Sequence, residues 1–513
     1  MAYRSCPPLP RRQATAVTPR SRSRVLCAAL TLATAAICTC AAAARAAPVE
    51  AVAPGGKSWR DAALADLQAL HDLIEANSPG PVDPRNTAYR EWLKQGLRQA
   101  RPLAEQATGW STARLALQFY ANGFRDGHLQ VVPVDGPGYS VQPLIWPGFL
   151  TRLGTDGRTT VAVTAPGSPV RVDDELLGCD GIEADRLTRD RVDRYWVNAD
   201  IPHTRALFSW RLFATRQDDR DLLELCRFRS AGAVLEHRLQ WTSISDTAFD
   251  AALDRAMQTA QPEAGVRVIG GVTFVSLPSF DQPADRMKAL VNAVRTRRPA
   301  IVASPIVVLD VRGNGGGNSS WGQAVAEALW GAKPVRAVVN SFDWTTEWRA
   351  SRLNIRLTRE SAAHSAAAGN RDDAAYRYRM ADRMQAALDR AQALSAVPAP
   401  ATSPGLRPGT PSPFKGRVFL LTDHHCASAC LDFADIVLRM PGVQHAGLPT
   451  SADAVYIDNL AHKLPSGLFE LSWGVKVYRN RVRGHNAWYS PQHLWTGGKM
   501  TDEDVAAWLA GLR

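Results

Sequence analysis

The chain has 513 residues, 45% of them hydrophobic, with 60 Lys and Arg against 49 Asp and Glu and a formal charge of +11. That length leaves room for two or three domains and an ample core. The basic excess does not argue for nucleic acid. Seven arginines and no acid fall in residues 1–46, and without that segment the balance is 53 against 49, a formal charge of +4.

Residues 1–46 place Arg4, Arg11, Arg12, Arg20, Arg22 and Arg24 ahead of an Ala-rich apolar run, 25–44, and end on the small-x-small sequence Ala44-Arg45-Ala46. This pattern reads as a signal peptide and an exported, periplasmic or secreted protein, with a membrane anchor as the alternative. No stable membrane insertion is expected after cleavage. Cys6, Cys27, Cys38 and Cys40 leave with that segment, and Cys179, Cys226, Cys426 and Cys430 remain, without a zinc-type spacing. Neither a metal nor an organic cofactor is implied.

Residues 57–135 form a helical subdomain. Trp59, Ala62, Ala63, Leu67, Leu70 and Leu73 recur at helical spacing, 89–105 repeats the pattern, and 111–122 makes a third helix before a strand at 129–134. Residues 138–262 are β-rich, with short β-prone runs between Gly, Pro and Asp turns; the polar stretch 185–221 reads as an insertion there. At 265–343 the order strand, helix, strand, helix predicts parallel pairing with right-handed crossovers, hence an α/β core. Residues 344–413 are a charged, Ala-rich helical insertion followed by a Pro-rich linker. They are read as a lid over a cleft, with a solvated insertion as the alternative. The core resumes at 414–513 and closes on a helix at 502–512.

Two stretches of this core carry chemistry. In 306–322 a short apolar strand ends in an acid and an arginine, then breaks into Gly313, Gly315, Gly316 and Gly317 before a helix. Glycines after a strand let backbone amides approach a ligand, as in an oxyanion hole or a phosphate cradle. No Gly-Lys-Ser/Thr follows, which weakens the phosphate reading. In 416–440 a β-prone strand runs through a polar connection into a helix, with Ser428 where that helix begins. Ser428 is thus a candidate nucleophile with first-turn amides beside its hydroxyl; helix capping is the alternative. Cys426 and Cys430 flank it and are expected to be small buried residues, with a bridge across one helical turn as the other option.

Together the stretches resemble the tail-specific, or C-terminal-processing, serine protease family, in its tricorn-core-like branch. The resemblance rests on Leu309, Asp310, Arg312, Asn314, Gly316 and Gly317, then Ala427, Ser428 and Ala429, with Asp126-Gly127-His128 closing the helical segment. It implies an α/β core of ClpP/crotonase-like βαβ units with an N-terminal helical subdomain and a β-rich, PDZ-like subdomain. The PDZ likeness is carried by 164–181, where an ordinary β-rich unit is the alternative. The implied activity is peptide-bond hydrolysis through an acyl-enzyme, with a peptide or unfolded protein as substrate. Ser428 would be the nucleophile, His128 the base, and the Ala429 amide with Gly316 or Gly317 the oxyanion hole.

The chain departs from the pattern at three places. Asp453 stands where the family carries a lysine, Leu431 where it carries a glutamate, and Ala487 where tricorn-like members carry an acid. A serine-lysine dyad is therefore excluded. Asp432 and Asp453 are the first candidates for the third catalytic member, with a plain loop acid as the other reading of Asp453. His424, His425, His485 and His493 are further candidate bases. The rival expectation is a catalytically impaired protein that binds peptides or cell-wall fragments on the same fold. An α/β-hydrolase esterase lacks its Gly-x-Ser-x-Gly elbow here.

Overall fold

The computed structural model describes residues 53, 55–134, 142–154, 156–198, 200–219, 221–257, 262–398 and 402–512. The signal-peptide reading of 1–46 lies outside them. Among the described residues no helix is long and apolar enough to cross a membrane.

Strand order in the core sheet is Gly265–Ile269, Val272–Ser276, Ile306–Asp310, Arg417–Thr422, Val443–Gly447, His493–Leu494. The first pair is an antiparallel hairpin and every later pairing is parallel. Strands such as Ile306–Asp310 are buried along their whole length because both faces are covered, which is why the sequence shows continuous rather than alternating apolar residues. On one face Val275, Leu309 and Leu420 pack with the helices Ala284–Ala303, Ser319–Trp330 and Ala429–Val437. On the other, Phe274, Val308 and Phe419 pack with Val505 and Leu509 of the C-terminal helix Asp502–Gly511.

Arg312, fully buried, fastens that helix to the sheet. Its Nε and Nη2 donate to the two oxygens of Asp310 at 2.8 and 2.7 Å, and it also reaches Asp502 and the Met500 carbonyl. A buried guanidinium is tolerable only with such partners. The arginine of the glycine-loop motif is thus a structural tie.

Helices Trp59–Asn77, Thr87–Glu105 and Trp110–Asn122 make the helical unit, within a residue or two of the expected bounds. The 344–413 segment corrects the lid reading. Its strands Thr345–Arg349 and Leu394–Val397 join a five-stranded sheet with Gln130–Pro133, Tyr456–Lys463 and Phe469–Arg479. Its helices Arg352–Ala367 and Arg371–Asp389 bury Ile355, Met380 and Met384 against Leu67, Leu70 and Tyr120. Asn354 Nδ2 donates to the Asn77 carbonyl at 2.9 Å. This helix pair is core to the helical unit, because its apolar stripe faces that unit's sheet.

The β-rich unit holds an antiparallel sheet in the order Phe149–Leu153, Thr159–Thr164, Glu175–Cys179, Leu225–Ser230, Ala233–Arg238. Cys179 and Cys226 sit opposite each other in it and are disulfide-bonded. The polar 185–221 stretch is not a detached insertion: Leu187, Val192, Leu212 and Phe213 are buried against Phe149 and Phe228.

Candidate active site

The glycine loop and Ser428 leave the carboxyl ends of neighbouring parallel strands, since Asp310 pairs in register with Leu421. In open α/β sheets this end of the strands is where ligands bind. Asn314 within the loop and Asp423 from the neighbouring connection hold its shape. Asn314 donates from Nδ2 to the Leu277 carbonyl at 2.6 Å and accepts the Gly316 N–H on Oδ1 at 2.9 Å. Asp423 accepts the Gly313 N–H at 2.8 Å and the His425 N–H at 2.9 Å, and its other contact is His425 Nδ1 at 3.4 Å. Burial alone would raise the Asp423 pKa, but His425 and these amides bring it below the usual carboxylate range.

The two loops meet at Gly316. A Cβ there would lie 2.8 Å from both the Ala427 carbonyl oxygen and Ser428 Cβ, and 3.1 Å from the Ala429 nitrogen, so only glycine permits the approach. The Ala427 N–H also donates to the Asn314 carbonyl at 3.3 Å. Of the two glycine amides the sequence offered, the Gly316 N–H is spent on Asn314, whereas among the described residues the Gly317 and Ala429 N–H groups have no protein acceptor. Phe280 pairs with Gly317 as a short parallel bridge, using the flanking Gly316 carbonyl and Asn318 N–H and leaving the Gly317 amide turned away.

Ser428 occupies the N-cap position of Ala429–Val437 but makes no side-chain cap bond, which removes the capping alternative. Its backbone is at φ 53° and ψ −120°, a conformation a non-glycine residue adopts only when its surroundings enforce it. The surroundings include a disulfide, Cys426–Cys430, that brackets it symmetrically with Cα atoms 5.3 Å apart. This corrects the expectation of two unlinked buried cysteines: the turn that carries the chain from Cys426 into the helix at Ala429 brings the two side chains together.

Asp432 and Asp453, the candidate third members, are engaged by arginines. Arg481 Nη2 donates to Asp432 at 2.6 Å and Arg481 Nη1 to Asp453 at 3.3 Å. Arg483 contacts Asp432, Asp435 and Asp453 at 3.2 to 3.4 Å, and Ser319 Oγ donates to Asp432 at 2.7 Å. Burial pushes the Asp432 pKa up, but Arg481 and Arg483 outweigh it and hold the carboxyl below its ordinary range. Among the described residues neither carboxylate hydrogen-bonds Ser428 or His128; the Asp432 backbone N–H donates to the Ser428 carbonyl at 3.2 Å.

His128 follows a tight turn in which its N–H donates to Asp126 Oδ1 at 2.9 Å. Its Nδ1 is buried without a partner, and Asn459 Nδ2 donates to its carbonyl at 2.9 Å. Burial lowers its pKa, and Asp453 is the carboxylate that opposes this most strongly. Asp126 beside it is raised to about 7, chiefly by burial. No hydrogen bond joins His128 to Ser428.

The other histidines have separate employment. His424 Nδ1 is 2.8 Å from the Pro449 carbonyl and is lowered to about 4 by burial. His485 Nδ1 accepts the Val455 N–H at 3.3 Å, and His493 pairs with Gln444 on the far strand at 2.8 Å. Sequence reading did not single out His203, whose Nε2 meets the Thr450 carbonyl and whose ring stands 5.3 Å from that of His424. Nor did it single out Arg481 and Arg483. Their alternation with Arg479 at period two was the available signal, although the turn at Asn480, φ 53°, sends Arg479 to Asp83 and Glu347 instead. Among the described residues no His, Cys, Asp and Glu cluster is arranged to hold a metal ion.

No curated protein matches the chain by sequence. Among solved structures, mature CPAF is 14% identical and superposes with a TM-score of 0.54 over 85% of this chain and 92% of that one. Mature CPAF complexed with lactacystin gives 15% identity and a TM-score of 0.55 over 85% and 93%. At such identity the likeness establishes the fold: an α/β core with helical N-terminal and β-rich parts. The family model described as peptidase family S41 matches residues 271–440, the stretch holding the glycine loop and Ser428. That core segment is therefore similar to peptidase family S41, and the chain carries a fold similar to that of mature CPAF.

Proposed function

We propose that this chain is an exported serine peptidase that cleaves peptide bonds with Ser428 as nucleophile and His128 as base. The observation that carries the reading is the meeting of Ser428, held at φ 53° and free of any cap bond, with a glycine loop close by and two unspent amides, Gly317 and Ala429. Ser428 Oγ attacks the scissile carbonyl carbon while His128 takes its proton. The Gly317 and Ala429 N–H groups hold the oxyanion. Collapse passes the proton to the leaving amine, and water, deprotonated by the same imidazole, hydrolyses the ester. Asp453 supports the imidazolium through its charge, and Asp432 keeps Arg481 in place between them. Apo catalytic contacts are commonly long and tighten around substrate, which suits a His128 that awaits one.

A fluorophosphonate probe on the mature protein tests this. Mass spectrometry is expected to find the phosphonyl group on Ser428. A wild type that stays unlabelled while retaining peptide affinity would instead assign the chain to peptide or cell-wall-fragment binding. That reading is favoured by one observation, the commitment of Asp453 to Arg481 and Arg483 where the family's lysine would stand.

Two further results are expected. Gly316→Ala places a methyl against Ala427 and Ser428 at a residue with φ 108°, so the loop must withdraw. The labelling rate should fall about 10²- to 10³-fold, the scale of a lost oxyanion donor. Opening the bracket around Ser428, in a Cys426→Ala, Cys430→Ala variant, frees the serine to leave its enforced conformation. Labelling should slow about 10²-fold, as small misplacements of reacting groups do. An unchanged rate would show that packing alone holds Ser428.

A further inference from the structure

Away from the serine, the helical and β-rich units share a ladder of stacked rings and guanidinium groups. Trp196 is contacted by two of them, with the Arg211 and Arg114 guanidinium carbons 3.6 and 4.9 Å from its ring centroid. Trp210 and Trp110 flank the same two groups at 4.4 and 5.3 Å. Arg114 comes from the helix Trp110–Asn122 and Arg211 from the short helix Ser209–Phe213.

Stacking satisfies the faces of a guanidinium but not its edge, where the N–H donors lie. The Nε atoms of Arg114 and Arg211 are both buried without a hydrogen-bond partner. Among the described residues neither side chain meets a carboxylate. Arg312, Arg479, Arg481 and Arg483 are by contrast each matched to acids. Charges of the same sign crowd the pair further. Burial lowers the Arg114 pKa to about 10, with Arg216 adding to it. Arg211 is lowered more, by burial first and by Arg114 second. Arg216 itself is paired with Asp246 at 3.4 Å and does not need another acid. Arginine does not shed its proton in proteins, so such a pair calls for an anion from outside.

We propose that Arg114 and Arg211 form a binding site for an oxyanion of carboxylate or phosphate type, held edge-on by the two guanidiniums against Trp196. Its place gives it a consequence. The segment carrying Trp196 and Arg211 also carries Asn198, which donates to the Arg125 carbonyl at 3.4 Å, and His203, which meets Thr450. An anion at the ladder therefore fastens the segment that borders the His128 turn. The oxyanion is either free in solution or presented by an acidic peptide side chain, and the test separates these sources.

The mature protein is titrated with sodium phosphate and sodium acetate against sodium chloride at matched ionic strength, following thermal unfolding and tryptophan fluorescence. A second arm uses a short Glu-containing peptide, blocked at both ends, against its Gln counterpart. For a free oxyanion the unfolding midpoint should rise by about 1–3 °C at ten times Kd, with a saturable fluorescence change. For a presented carboxylate the Glu peptide should bind at least 10-fold tighter than the Gln peptide. Either response should vanish in Arg211→Gln and in Arg114→Met, and Arg114→Met should also raise the anion-free midpoint by relieving repulsion. If Arg211→Gln fails to fold, Arg114→Met decides alone. A wild type that distinguishes neither phosphate or acetate from chloride nor Glu from Gln overturns the proposal, as does a response that survives Arg114→Met. Because every readout is binding or unfolding, the outcome is independent of whether Ser428 turns over peptide.

Discussion

Alanine at position 428 is expected to abolish fluorophosphonate labelling and to lower kcat/KM on any peptide the wild type cleaves by at least about 10⁴-fold. The loss should fall on kcat, because the hydroxyl acts in the transition state and the peptide's binding contacts remain. Stability separates this chemical role from a structural one. A non-glycine residue at φ 53° and ψ −120° costs about 1–3 kcal/mol, and alanine there bears the same cost. Ser428→Gly should recover part of it, giving a more stable but inactive protein in denaturant unfolding. A destabilised Ser428→Gly would mean the serine side chain contributes to the fold. His128→Gln should lose about 10²- to 10⁴-fold in the same assay. Its burial shifts the neutral, base-competent form to lower pH. The acid limb of kcat/KM is therefore expected below the ordinary histidine value of about 6.5. A limb at or above it would point to a different base.

Arg481→Met should be the most damaging substitution for stability, by about 3–5 kcal/mol at pH 7. Arg481 is buried and bridges Asp432 and Asp453, and burial works against its charge until those two carboxylates outweigh it and raise its pKa. Methionine fills much of the volume but leaves three acids, Asp432, Asp435 and Asp453, to Arg483 alone. The pH dependence identifies the cause. Asp432 is depressed in the folded protein, so its contribution is present above the unfolded value of about 3.9 and is lost as pH falls through the folded one. The gap between variant and wild type, from denaturant unfolding, should be full at pH 7 and narrow below about pH 4. A gap of constant size would assign the damage to packing.

The same cluster shows where sequence reading succeeds and where it stops. Asp432 and Asp453 were visible as acids near the serine because each lies in a recognisable stretch. What engages them, Arg481 and Arg483, lies some fifty and thirty residues further on, and the alternation of arginines does not state that the loop after the strand Phe469–Arg479 turns two of them toward these acids. The Pro-rich and Ala-rich composition of 344–413 was likewise legible, but composition does not say which sheet an amphipathic helix pair will cover. The structure sends it to the helical unit through Met380, Met384 and Trp348.

From the sequence by itself came the alternation of strands and helices around 265–440, the glycine break after Asp310, and a serine at the start of a helix. These are local: backbone preference and apolar period act over a few residues. Tertiary structure alone decided that Gly316 gives its amide to Asn314 while Gly317 and Ala429 keep theirs, that Cys426 closes onto Cys430, and that Arg114 and Arg211 are left facing no acid. Each of those outcomes depends on which donor reaches which acceptor across the fold, and a hydrogen bond or ion pair is fixed by distance in space rather than by separation along the chain.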